Sequence, residues 1–139
     1  MPSPREHITS KARQWIALAD DDLRVAAHTM RMSEPVPYRL VAYHAQQCAE
    51  KYLKAFLVVR QRDFPFTHNI SMLLELCEPI APWARDLTEA ELLTVYAVTA
   101  RYPGMEEPVT QAEARQAIQL ASQVSAAVRE ALAHTGLGL

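Results

Sequence analysis

Tyr43-His-Ala-Gln-Gln-Cys-Ala-Glu-Lys-Tyr-Leu-Lys-Ala55 lies at the middle of a longer run, Tyr38 to about Arg62, on which the architecture rests. Within that run Val41, Ala45, Cys48, Tyr52, Phe56 and Val59 recur at intervals of three and four residues, the period of one helical face. Leu40, Leu53, Leu57 and Val58 widen the stripe, so this helix is expected to be the central and most buried one. Lys54 interrupts its apolar core, and no run approaches the ~18 apolar residues of a membrane span.

On the N-terminal side, Ala12, Trp15 with Ile16, Ala19, Leu23, Ala26 with Ala27, and Met30 repeat the same spacing and predict a helix from Ser10 to about Met32. Its acidic run Asp20-Asp-Asp22 is expected mostly on the far, solvent side. On the C-terminal side, Ile70, Leu73, Leu74 and Cys77 predict a short helix over about 69–78, with Thr67 or Asn69 as N-cap and Pro79 as its end. Thr88-Glu-Ala-Glu91 has the capping-box pattern ahead of Leu92, Val95, Tyr96 and Thr99 and predicts a fourth helix from about Glu89. Thr110-Gln-Ala-Glu113 repeats that pattern before Ala114, Ala117, Ile118, Ala121, Val124, Val128 and Leu132, a long last helix stopped near Gly136. Four short Pro-containing segments separate these elements, and alternating strand-like runs are absent. The expected class is all-α, an antiparallel up-and-down bundle of four to five helices over residues 10–135, with tails at 1–9 and 136–139.

The chain has 139 residues, enough for one core, and is half apolar with 22% charged residues, 3 Gly and 9 Pro, which excludes collagen-like and disordered classes. Fourteen basic residues against 16 acidic ones give a net charge of -2, too balanced for a general nucleic-acid coat. The balance conceals a local asymmetry. Residues 38 to 63 carry five basic side chains (Arg39, Lys51, Lys54, Arg60, Arg62) against Glu50 and Asp63, whereas residues 69 to 113 carry eight acids against Arg85 and Arg101. Cys48 and Cys77 each sit in an apolar helical pattern, which reads as buried free thiols in a reducing compartment. Met1-Pro-Ser-Pro-Arg-Glu-His7 lacks the apolar core of a secretion signal, so a cytoplasmic location is expected.

No Gly-rich phosphate loop, zinc-helix motif, nucleophile elbow or paired-Cys motif is present, and the five histidines are dispersed, so neither cofactor nor metal is expected. Two stretches carry chemistry. His44, Gln47, Lys51 and Lys54, spaced by three, four and three, fall along one side of the central helix. Such a row presents cations and amide donors to phosphate or an RNA backbone; equally, Glu50 and Lys54 form an i,i+4 pair and the others solubilise an exposed face. Arg101-Tyr-Pro103 sets a guanidinium and an aromatic ring at a helix-to-loop edge, suited to phosphate contact and base stacking, or else to a cation on a helix C-terminus.

Ala19-Asp-Asp-Asp-Leu-Arg-Val-Ala26, the Tyr43 to Ala55 stretch, Thr67-His68 and Arg101-Tyr-Pro103, in that order, resemble the HEPN family (higher eukaryotes and prokaryotes nucleotide-binding domain) over about residues 10 to 132. The resemblance implies a helical bundle, commonly a homodimer, that binds nucleotide or RNA, often beside a minimal nucleotidyltransferase in a toxin-antitoxin pair. Active members resemble metal-independent ribonucleases with an arginine followed, after four to six residues, by a histidine. Arg101 matches the arginine, but Glu106, Glu107 and Pro108 stand where the histidine is required. The expectation is therefore a non-catalytic nucleotide- or RNA-binding protein with a nucleotidyltransferase partner and no membrane association, using His44, Lys51, Lys54, His68, Arg101 and Tyr102. The alternative is an endoribonuclease toxin in which Arg101 acts with a base from elsewhere, His44 or His68. A third reading makes the acidic segment a docking surface for a basic protein.

Overall fold

The structure, a computed structural model, describes residues 1–98 and 108–139. Helices α1 (Pro4–Met30), α2 (Tyr38–Val59), α3 (Ile70–Cys77) and α4 (Gln111–Ala133) combine with a 3-10 helical arm (Pro82–Ala97) into an all-helical bundle, and no strand occurs among the described residues. Counting the arm, this is the expected bundle of four to five helices. Side-chain pairs give the directions. Trp15 of α1 meets Lys54 of α2, Asp20 meets Tyr52 and Asp22 meets His44, so numbers fall on one helix as they rise on the other and the two run antiparallel. Ala114 of α4 clusters with Val41, and Arg129 lies over the Tyr52 ring, so α4 runs parallel to α2 and antiparallel to α1.

Alanine sets the spacing of the bundle. Ala12, Ala19 and Ala26 recur every seven residues along α1, all fully buried, and Ala42, Ala45 and Ala49 of α2 and Ala114, Ala117 and Ala121 of α4 are also buried. With only a methyl group at these contacts, helix axes approach closely and the larger side chains Tyr52, Leu53, Leu57, Leu73, Leu93 and Leu132 fill the remaining space. Because α1, α4 and the arm all pack on it, α2 is buried nearly all round, as its widened stripe predicts.

α1 starts at Pro4, six residues before the expected Ser10. Ser3 Oγ accepts the Glu6 N–H at 3.1 Å while the Glu6 carboxylate accepts the Ser3 N–H at 2.7 Å, and Pro4 occupies the first helical position, where its missing N–H costs nothing. Those first turns are exposed and carry no apolar stripe, so periodicity does not reveal them. At the other ends the expectations hold: Asn69 caps α3 through the Met72 N–H at 3.1 Å, and the Thr110–Glu113 capping box closes α4 with two bonds of 3.1 Å. α2 ends in a left-handed residue, Gln61 (φ 54), with the Arg62 N–H donating to the Leu57 carbonyl at 2.9 Å and the Gln61 N–H to the Val58 carbonyl at 3.0 Å. This is the Schellman closure, here without the usual glycine.

The arm departs from expectation. Instead of an α-helix from about Glu89, the chain forms 3-10 turns from Pro82 onward, bent at Leu87. Ala84, Leu87, Ala90 and Leu93 are buried, while Leu92 and Val95 are 52% and 64% exposed. The reason is the spacing of the buried set. Three residues complete a 3-10 turn, so beyond the bend at Leu87 Ala90 and Leu93 superimpose, whereas at α-helical pitch they would stand about 60° apart. Thr99, the last residue of that expected pattern, lies outside the described residues.

Cys48 and Cys77 are free and fully buried, as expected. Burial pushes both thiols up to about 12, with the Asp22 and Asp20 carboxylates adding to the effect at Cys48. Among the described residues no helix is long and apolar enough to cross a membrane.

Candidate functional site

The acidic run of α1 does not lie on the far side as expected. Asp22 is buried on the α2-facing side, and Asp20 also reaches α2 and α4; only Asp21 is fully turned to solvent. Phase explains this: Asp22 stands three residues after Ala19 and four before Ala26, on the stripe that those alanines define. Read from that stripe, Asp22 was recognisable in the sequence as inward-facing.

Asp22 uses both oxygens. His44 Nδ1–H donates to Oδ1 at 2.8 Å, and Lys51 Nζ donates to Oδ2 at 2.5 Å. Because a carboxylate only accepts, Nδ1 of His44 carries a proton, and in the neutral imidazole the lone pair is then on Nε2. A second assembly turns on Glu50, which is 3% exposed. Its Oε2 accepts from Lys54 Nζ at 3.0 Å, and its Oε1 accepts from Gln46 Nε2 at 3.1 Å and from His68 Nδ1–H at 2.8 Å. Gln46 Nε2 also donates to the His68 carbonyl at 3.1 Å, and Gln47 Nε2 donates to Gln46 Oε1 at 2.6 Å. The i,i+4 pair of Glu50 and Lys54 exists, but it is interior rather than solvating, and no buried side-chain polar atom among the described residues lacks a partner.

The row His44, Gln47, Lys51, Lys54 therefore divides. His44 and Lys51 face α1 together, whereas Lys54 lies roughly 80° round the helix from His44 at 100° per residue and joins Glu50. Three rings enclose the Lys54 ammonium: Trp15 at 5.5 Å, Phe64 at 5.7 Å and Phe66 at 5.9 Å from their centroids. Ring faces are electron-rich, so together with Glu50 they compensate a cation that water hardly reaches. The outer edge of this assembly is open. His68 exposes half its side chain, Phe66 is 93% exposed, and the two rings meet edge to face at 5.4 Å.

Of the six expected site residues, His44 and Lys51 thus belong to the Asp22 assembly and Lys54 and His68 to the Glu50 assembly. Arg101 and Tyr102 lie outside the described residues, as do Glu106 and Glu107. Sequence reasoning missed Asp22, Glu50 and Gln46 as organising groups. Glu50 had a comparable signal, standing three residues before Leu53 and seven before Leu57, both buried, on a helix that its neighbours cover on nearly all sides. Among the described residues no group of three His, Cys, Asp or Glu side chains converges as a metal site.

The helical bundle thus holds two carboxylate-centred assemblies against its central helix, Asp22 from α1 and Glu50 from α2 itself, each orienting an imidazole and an ammonium. The HEPN domain profile matches residues 12–131, and the chain belongs to the HEPN domain family. Among solved structures, TT1696 from Thermus thermophilus is 30% identical with a TM-score of 0.69, the match covering 86% of this chain and 97% of that one. ST0689, described as an archaeal HEPN homologue, is 25% identical with a TM-score of 0.67, covering 86% of this chain and 95% of that one. No curated protein matches the chain.

Proposed function

We propose that this protein binds a nucleotide or RNA without cleaving it and works beside a nucleotidyltransferase. Family membership supports the nucleotide- or RNA-related role. The observation that carries the placement is the open edge of the Glu50 assembly, where the half-exposed His68 ring and the exposed Phe66 ring stand side by side. Exposed rings of this kind offer a base a stacking surface that tolerates any sequence. Lys51 and Lys54 are already compensated by Asp22 and Glu50, so their part in this reading is to hold the edge in shape. Phosphate contact falls to Arg101, with Tyr102 beside it, which fits a guanidinium better than a paired ammonium.

Polarisation titration with labelled mononucleotides and a short single-stranded RNA tests this reading. Phe66→Ala and His68→Ala are each expected to weaken binding by roughly 5- to 100-fold, the range of one aromatic–base contact. Wild-type binding no stronger than that of Arg101→Ala overturns the site. Co-purification of a co-expressed nucleotidyltransferase, or its absence, decides the partner, and sedimentation decides the homodimer.

One observation favours the ribonuclease alternative. A carboxylate holds Nδ1 of both His44 and His68 and so fixes each ring, and in the neutral imidazole Nε2 is then the proton acceptor that a general base requires. Metal-free RNA cleavage lost in Arg101→Ala and in either His44→Ala or His68→Ala supports that reading; intact RNA after incubation with wild type removes it.

A further inference from the structure

After α4 the chain turns back onto α1, and this return builds a slot that neither carboxylate assembly uses. Gly136 and Gly138 both take φ 73, the left-handed conformation that lets the chain reverse without a side-chain clash. Arg5 Nη2–H donates to the Gly136 carbonyl at 2.7 Å and Thr135 Oγ1–H to the Leu132 carbonyl at 2.6 Å, which tie the segment down. Leu139 then packs, partly buried, on the main core cluster. A slot of about 260 Å³ remains beside it, with Ile16 and Ala17 of α1, Leu132 of α4 and Leu139 itself as apolar walls. Asp20 and Arg129 also line it, but they are committed: Asp20 accepts from Arg129 at 2.6 Å and from the Tyr52 hydroxyl. Arg13 is not. It forms no ion pair among the described residues, its guanidinium stands by Gly138, and it lines both the slot and an outer cleft of about 710 Å³. Glu6, the carboxylate on the wall of that cleft, is held by the Ser3 N–H.

We propose that the slot binds the alkyl chain of a small aliphatic carboxylate, whose head group pairs with Arg13 where the slot meets the outer cleft. Three observations select this ligand. The walls already seat one aliphatic side chain of the molecule, Leu139, so the space beside it suits another. The one uncommitted charge on the slot is a guanidinium, which a carboxylate matches through two parallel hydrogen bonds. The volume lies below the range that drug-sized ligands occupy, so the ligand is small. The site does not depend on the nucleotide reading. Arg13 and Trp15 stand about 200° apart round α1 at 100° per residue, so the slot lies on the opposite flank of that helix from the aromatic box of Lys54. Through Leu132 and Leu139 its walls also reach beyond residues 12–131, the extent of the HEPN match, so family membership does not supply it.

The test is calorimetric titration of the full chain with four probes: octanoate, octanol, which keeps the chain without the charge, acetate, which keeps the charge without the chain, and octylammonium, which reverses the charge. Octanoate is expected to saturate a single site and to raise the melting temperature, and each of the other three to bind at least about tenfold more weakly. Arg13→Gln, which removes the cation, and Ala17→Phe, which fills the slot from an exposed helical position, are each expected to weaken octanoate by about tenfold or more. Lys11→Gln removes an exposed cation of α1 that lines neither cleft and should leave binding unchanged. Circular dichroism melting establishes that each variant is folded. The proposal is overturned if octanoate does not bind, if octanol or octylammonium binds as tightly, if acetate alone accounts for the affinity, or if Lys11→Gln weakens octanoate as much as Arg13→Gln does. Unchanged octanoate binding in a folded Ala17→Phe variant places the chain elsewhere and overturns it as well.

Discussion

α2 and the arm invert each other. α2 holds Glu50 and Lys54 in the interior at 3% and 4% exposure, whereas the arm turns Leu92 to water at 52%. In both places hydrophobicity alone misjudges the residue, and in both the geometry of the helix supplies the correction. On α2 the side chains have no outward direction to take, because neighbours cover its circumference; charges that fall there must be mutually compensated, and they are. On the arm only one face in three meets the core, and a tight helix gives that face to positions three apart.

The sharpest break of this comparison is Glu50→Ala. It leaves the Lys54 ammonium interior without its carboxylate and removes the acceptor of Gln46 and His68, so a loss of about 3–5 kcal/mol in urea unfolding is expected. Adding Lys54→Met should restore most of it, since a methionine needs no counter-charge in that aromatic box; no recovery would show that the loss came from the His68 and Gln46 bonds instead.

Next in size is the contrast of adjacent leucines on the arm. Leu93→Ala should cost about 2–4 kcal/mol, whereas Leu92→Ala should stay within about 0.5 kcal/mol. Equal losses, or the reverse order, would mean that the arm has an α-helical rather than a threefold period.

A pH titration sharpens the α2 side. Burial, with the hydrogen bond to Asp20, raises the Tyr52 hydroxyl to about 12. A group that ionises at about 12 in the folded chain and near 10 in the unfolded one stabilises the fold fully below pH 10, and that contribution is lost as pH rises through 12. Melting temperatures of wild type and Tyr52→Phe should therefore converge between pH 10 and 12; a constant gap would contradict the assigned hydrogen bond.

The smallest effect is at the end of α2. Gln61→Gly relieves the left-handed conformation at φ 54 but gives the unfolded chain more freedom, so a net gain of a few tenths to about 1 kcal/mol is expected in the same denaturation assay.

Much of this molecule was legible from local pattern. Apolar periodicity located α1, α2, α3 and α4, and the Thr110–Glu113 and Asn69 caps marked helix starts because each is a contact between residues three apart in sequence. The Thr88-Glu-Ala-Glu91 motif misled, since a capping box competes with core contacts made by Ala90 and Leu93 and those contacts determine the arm. The candidate site was half legible: His44, Lys51 and Lys54 stand out by type and spacing, though as groups on an exposed face, and His68 only through the family resemblance.

The sequence by itself determined an all-α class, the central place of α2, the buried free thiols and membership of the HEPN family, because these follow from short-range periodicity and from the order of local motifs. Only the tertiary structure decided which carboxylate answers each cation. Asp22 lies 22 and 29 residues from His44 and Lys51, and Glu50 lies 18 from His68, distances over which no local rule operates. The same holds for the arm, whose pitch was settled by what it packs against: a face three residues in period fits the core of α2 and α3, and that face leaves Leu92 and Val95 outside.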